Sequence, residues 1–252
     1  MLNKKHLAHV THVLAEDPSA NGNSDNSNRP MRKIRSFARR SGRMTDSQKK
    51  ALAAYWDAHG INYEDQILNF KTLFNREAPT NIEIGFGMGE NILSVAQNRP
   101  EENFIGIEVH QPAVGHVLNQ INELGLTNLR VMNHDAVEVF TQQIDNLSLN
   151  SVSVFFPDPW HKSNHHKRRL VSPKFAELLA TKIAKKGHAY LATDWEHYAI
   201  QMLDVFTHNK HFKNLSPTHT YCKRMEFRPI TKFERRGLRL GHGVWDLIFE
   251  KL

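Results

Sequence analysis

Beyond residue 80 the chain switches repeatedly between two hydrophobic patterns. Short apolar runs at 82–85, 104–109, 129–133, 151–156 and 188–193 read as strands. Between them lie stretches in which apolar positions return every third or fourth residue, predicting helices at 91–97, 112–124, 173–185 and 196–207. Gly125 and Gly187 stand where two of those helices should stop. The run 151–156 has no polar interruption long enough to face water, so that strand is expected to be buried on both faces. Residues 243–252 read as a last, antiparallel strand. Strands alternating with helices of this length mean βαβ units, hence an α/β fold with a Rossmann-like, doubly wound, mostly parallel sheet.

The region before residue 80 is different. Residues 21–28 are almost wholly Asn, Ser, Gly and Asp, so 1–30 is expected to be a disordered tail with nothing to bury. A basic arm and a helical extension fill 31–79. Thr45 and Gln48 are spaced as a capping box opening a helix through 58, which His59-Gly60 ends. The sheet domain then occupies 80–252. No internal repeat is visible.

Charge narrows the partners. The 252 residues carry 33 Lys+Arg against 26 Asp+Glu, a net of +7. Residues 29–43 alone hold +7, 162–169 hold +4 and 223–239 hold +5, so the rest of the chain is acidic. Three concentrated basic segments on an acidic body suggest a nucleic-acid footprint more than general solubilising charge. One cysteine, Cys222, excludes an internal disulfide framework and a thiolate zinc site. The longest apolar runs are five or six residues, against about 20 for a membrane span. A cytoplasmic protein, without membrane association, is expected.

The chemistry begins where the first strand of the sheet domain turns into a helix. Glu83-Ile84-Gly85-Phe86-Gly87-Met88-Gly89 puts an acid before a G-x-G-x-G turn, with glycines that let backbone approach a ligand. The dinucleotide fingerprint would need glycine at position 90. Glu90 stands there instead, where it would oppose a pyrophosphate at the helix start. An acid and no phosphate site suit a cationic ligand such as S-adenosyl-L-methionine. Glu108 ends the next strand, placed to accept from ribose hydroxyls, and Asp135 follows the third, placed to accept from an adenine amine. Three acids at three consecutive strand ends converge on one crevice.

The fourth strand runs into Pro157-Asp158-Pro159-Trp160. Two prolines restrict the backbone around the Asp158 carboxylate, and Trp160 offers a face for stacking. The segment that follows, with Lys162, Lys167, Arg168 and Arg169, reads as a loop for phosphates. Its histidines are not expected to bind metal, since four neighbouring cations oppose another.

These motifs, taken in order, resemble the bacterial tRNA (guanine-N7-)-methyltransferase family. The resemblance rests on the motifs at 34–45 (IRSFARRSGRMT), 83–89 (EIGFGMG), 106–110 (GIEVH), 156–161 (FPDPWH), 167–170 (KRRL), 192–195 (ATDW) and 231–250 (TKFERRGLRLGHGVWDLIFE). It implies a class I methyltransferase fold and methyl transfer from S-adenosyl-L-methionine to N7 of guanosine 46 in the tRNA variable loop. It also implies cofactor binding by Glu83, Glu108, Asp135 and Asp158, the last also catalytic, in addition to the turn glycines Gly85, Gly87 and Gly89. Lys162, Asp194, Thr231, Lys232, Phe233 and Glu234 are then expected at the substrate, Lys167, Arg168 and Arg169 at the RNA, and a monomer or homodimer. Ser163-Asn164 departs from the family pattern, in which a basic residue is expected there. Two other readings stay open from the residues themselves. One is an exocyclic-amine methyltransferase with a related Pro-rich loop. The other is an RNA-binding module on a methyltransferase fold without activity.

Overall fold

The strands predicted along the chain join one eight-stranded sheet in the computed structural model, which describes residues 35–37, 42–230, 234–235, 239 and 243–252. They are β1 (Gly60–Ile61), β2 (Thr80–Ile84), β3 (Asn103–Ile107), β4 (Leu129–Met132), β5 (Leu149–Phe155), β6 (Ile183–Thr193), β7 (Phe212–Asn214) and β8 (Trp245–Lys251). Their order is β1-β4-β3-β2-β5-β6-β8-β7. Strands β1 to β6 pair in parallel, whereas β8 runs antiparallel to both β6 and β7. The antiparallel end is the expected C-terminal strand plus β7, which the sequence pattern did not reveal.

The chain winds outward from β2 through β3 to β4, then returns past β2 to β5 and β6. The reversal between β2 and β5 is a topological switch point, where the loops leaving two adjacent strands diverge and open a crevice. Helices α1 (Asp46–His59), α3 (Glu90–Asn98) and α4 (Gln111–Glu123) supply one apolar cluster, including Ala51, Ile92, Val114 and Leu118. Helices α5 (Ala136–Gln142), α6 (Pro173–Lys182) and α7 (Glu196–Thr207) supply the other, including Val139, Phe175, Leu179, Met202 and Phe206. A sheet covered on both sides explains why β2 and β3 are buried at every residue.

The capping box is present in both directions. Gln48 N donates to Thr45 Oγ1, and Thr45 N donates to Gln48 Oε1 at 2.8 Å. Helix α1 packs on α4, and a side chain at Gly115 would bring its Cβ within 2.8 Å of the Gln48 carbonyl oxygen. The residues from α1 to β1 are thereby built into the sheet body, with a short helix α2 (Phe70–Phe74) following.

Helix α6 ends three residues earlier than its periodicity predicts. Lys182 is buried and donates to the Ile144 carbonyl and Asn146 Oδ1, and Ile183 then pairs with Leu149. Strand pairing captures a stretch whose local propensity is equally helical. The basic loop after β5 is likewise more ordered than expected, forming a 3-10 helix over Ser163–Arg168. Among the described residues no helix is long and apolar enough to cross a membrane.

Candidate active site

A cavity of about 690 Å³ opens at the switch point. Glu83, Gly85, Gly87, Glu108, Asp135, Asp158 and Asp194 all line it, so acids from the ends of β2 through β6 converge as the strand order requires. Gly89 does not line the cavity. It is the N-cap of α3 at φ 82°, where a Cβ would lie 2.5 Å from the Val117 side chain. Gly87 also has positive φ, and its N–H donates to Glu108 Oε2 at 3.0 Å.

Glu83 is buried at the end of β2, and Asn91 Nδ2 donates to its Oε2 at 2.6 Å. Burial pushes its carboxyl up to about 7; the Asn91 hydrogen bond opposes that rise and the nearby Glu108 adds to it. The second polar atom of that asparagine, Asn91 Oδ1, is buried with no hydrogen-bond partner. Glu108 is already heavily used by the protein. Its Oε1 accepts from Val109 N and His110 N at 2.8 and 2.9 Å, and its Oε2 accepts from Gly87 N. A carboxylate has about four lone-pair directions, so roughly one is left for a ligand hydroxyl. Asp135 caps α5 through its Oδ1, which accepts from Val137 N at 2.9 Å, and keeps Oδ2 for the cavity.

Asp158 and Asp194 differ from these in being exposed. Phe156 (φ 51°) and Trp160 (φ 48°), both in the left-handed region, bracket the Pro157-Asp158-Pro159 turn. A bulky residue there costs on the order of 1–3 kcal/mol, and the surrounding contacts show what holds it. Arg169 Nε donates to the Pro159 carbonyl at 2.8 Å, its Nη1 donates to Gln201 Oε1 at 2.7 Å, and its guanidinium lies over the Tyr198 ring. Arg169 is 3% exposed, which corrects its expected place among the RNA-facing residues: it ties the turn to α7. Lys162 and Lys167 are exposed beside it, and neither lines the cavity.

Arg168 faces the basic arm. Its guanidinium lies 3.8 Å from the Trp160 ring centroid and donates to the carbonyls of Arg35 and Phe37 at 3.2 and 3.1 Å. Trp160 Nε1 donates to the Ser36 carbonyl at 3.2 Å. Ser36 and Phe37, so held, line the cavity. This part of the arm therefore covers the crevice.

Glu234 requires a second correction. It is buried and bonded at 2.6 and 3.0 Å to both Nη atoms of Arg228, not open to a substrate. Arg228 also donates from Nε and Nη2 to Asp246 in β8, both at 3.0 Å, and lines the cavity. Thr231, Lys232 and Phe233 lie outside the described residues. Arg228 was invisible in the sequence because it stands among six other basic residues of the 223–239 segment. Nothing local marks it as the buried one. His134 is on the cavity wall with the Tyr63 ring stacked on it at 3.8 Å, a contact between residues 71 apart that no local pattern signals.

A family model described as "Putative methyltransferase" matches residues 77–247. The chain is 54% identical over 228 residues to the tRNA (guanine-N(7)-)-methyltransferase of Salmonella typhimurium (strain LT2), covering 90% of this chain and 95% of that one. It is 53% identical, with the same coverage, to the protein of that name from Escherichia coli (strain K12). A crystal structure of the 16S rRNA methyltransferase KamB aligns with a TM-score of 0.54 at 14% identity, over 73% of this chain and 93% of that one. The last likeness concerns the fold alone.

Proposed function

From the premise that this chain belongs to the tRNA (guanine-N(7)-)-methyltransferase family, we propose that it transfers a methyl group from S-adenosyl-L-methionine to N7 of guanosine 46 in tRNA. The observation that carries this reading is the convergence of acids from five successive parallel strand ends on one cavity. A buried carboxyl poised near neutrality and an orphaned Asn91 oxygen suit a cationic ligand, so the lining fits the cofactor. Glu83, Glu108, Asp135 and the Gly85–Gly87 backbone would hold it. When bound, it supplies a methyl group already activated on a sulfonium.

The residues then have little proton chemistry to do. Guanine N7 carries a free lone pair at neutral pH, so Asp158 is not needed as a base. Methylation leaves positive charge on the purine, and the exposed Asp158 and Asp194 carboxylates stabilise it at the cavity mouth. Either can also accept from guanine N1–H and the exocyclic N2 amine. Adenine lacks that donor pair, and a bidentate contact discriminates by about 1–3 kcal/mol. Positioning of N7 in line with the methyl supplies much of the remaining rate.

The test is incubation of purified protein with labelled S-adenosyl-L-methionine and unmodified bulk tRNA, followed by digestion and nucleoside analysis. Formation of 7-methylguanosine, lost in Asp158→Ala, is expected. A different methylated base would move the reaction to an exocyclic-amine methyltransferase. Binding of tRNA without methylation would leave an inactive RNA-binding module.

A further inference from the structure

Asp194, at the end of β6, is followed directly by Trp195, whose residue surface is 39% exposed although folding normally covers most of a tryptophan. Its position is fixed. The Trp195 N–H donates to Thr193 Oγ1 at 3.2 Å, and its carbonyl accepts from Tyr198 N and Ala199 N at 2.9 Å in the first turn of α7. The His161 ring meets the indole at 4.4 Å between centroids and 76° between planes. His161 comes from the other side of the cavity mouth, immediately after Trp160. The pair therefore bridges the two segments that carry the exposed acids Asp158 and Asp194. A T-shaped contact occupies at most one face of the indole and leaves the other for a second ring.

We infer that Trp195 is a stacking platform for the tRNA base adjacent to the target guanosine. This rests on the reading of the cavity as the pocket for that guanosine. A base drawn out of its stack leaves its neighbour with an uncovered face, and an exposed indole at the rim replaces the lost partner. Trp195 stands beside the cavity and does not line it, which suits the neighbour and not the target. Exposed Lys162 and Lys167 on the His161 side lie in the same segment, able to take the backbone phosphates of the strand so placed. Stacking is tolerant of base identity, so the platform adds affinity without narrowing the sequence that is accepted.

The experiment compares Trp195→Phe with Trp195→Leu in the full chain, the second keeping apolar bulk without a π face. Leucine is expected to lower kcat/KM for tRNA about 5- to 150-fold, through KM, while phenylalanine stays within about threefold. Neither substitution changes the Kd for S-adenosyl-L-methionine. Binding of unmodified tRNA quenches tryptophan fluorescence in the wild type, and that quenched component disappears in both variants although Trp56, Trp160 and Trp245 remain. Equal activity of the two variants, or quenching that survives loss of Trp195, overturns the platform. So does a change in oligomeric state with KM for tRNA unaltered, which would make the indole a protein contact. Weakened cofactor binding in both variants would assign Trp195 a purely structural part. Because wild-type 7-methylguanosine formation is scored separately, failure of the pocket reading and failure of the platform are distinguishable.

Discussion

Two kinds of carboxylate face the same cavity. Glu83 and Glu108 are buried, and each is bound to donors of the protein: an asparagine amide for the first, three backbone N–H groups for the second. Asp158 and Asp194 are exposed at the ends of β5 and β6. The difference follows the two halves of the sheet. On the β2–β3 side, acids are held before any ligand arrives, which suits a small molecule that must be enclosed. On the β5–β6 side, they stand open, as a site for one base of a large RNA must. Identical functional groups are thus assigned opposite parts by burial alone.

The largest effect is expected behind the cavity wall, where the buried Glu234 and Asp246 share one guanidinium. Arg228→Ala removes the guanidinium between two buried carboxylates, and denaturant unfolding should show a loss of about 3–5 kcal/mol. The exposed set should behave in the opposite way. Asp158→Asn is expected to lower kcat by roughly 10²–10³-fold with no change in melting temperature. A stability loss comparable to that of Arg228→Ala would show that Asp158 belongs with the buried acids.

Titration sharpens the same contrast. Because the Glu83 carboxyl sits at about 7 in the fold and nearer 4.5 in the unfolded chain, the folded state holds the extra proton between those values. Ligand-free stability should therefore fall as pH rises from about 4.5 to 7, by on the order of 3 kcal/mol, and then level off. Cofactor affinity should rise over the same window, since a cationic ligand favours the ionised carboxylate. Glu83→Gln should flatten both profiles and weaken the cofactor by about 1.5–3 kcal/mol in calorimetry. The smallest effect is expected at the cover. Arg168→Ala releases residues 35–37 and should raise the cofactor Kd about fivefold, near 1 kcal/mol, the scale of a partly exposed cation–π contact.

Much of this was legible along the chain for local reasons. Hydrophobic period separated strand from helix across 80–252, the Thr45/Gln48 spacing marked the start of α1, and an acid before three glycines marked the turn after β2. Short elements escaped: β1, β7, α2 and α5 span too few residues for a period to register. The end of α6 escaped because its competitor is the pairing of Ile183 with Leu149, a contact 34 residues distant.

The sequence alone determined the order of the longer strands and helices and the acids and glycines at their junctions, because these depend on neighbours a few residues away. The tertiary structure decided which charges are spent inside. Arg168, Arg169 and Arg228 are chemically the same residue, yet one holds the arm over the crevice, one braces the Asp158 turn and one neutralises Glu234 and Asp246. A guanidinium takes its part from the carbonyls and carboxylates that folding brings within about 3 Å, and those lie from six to more than a hundred residues away along the chain.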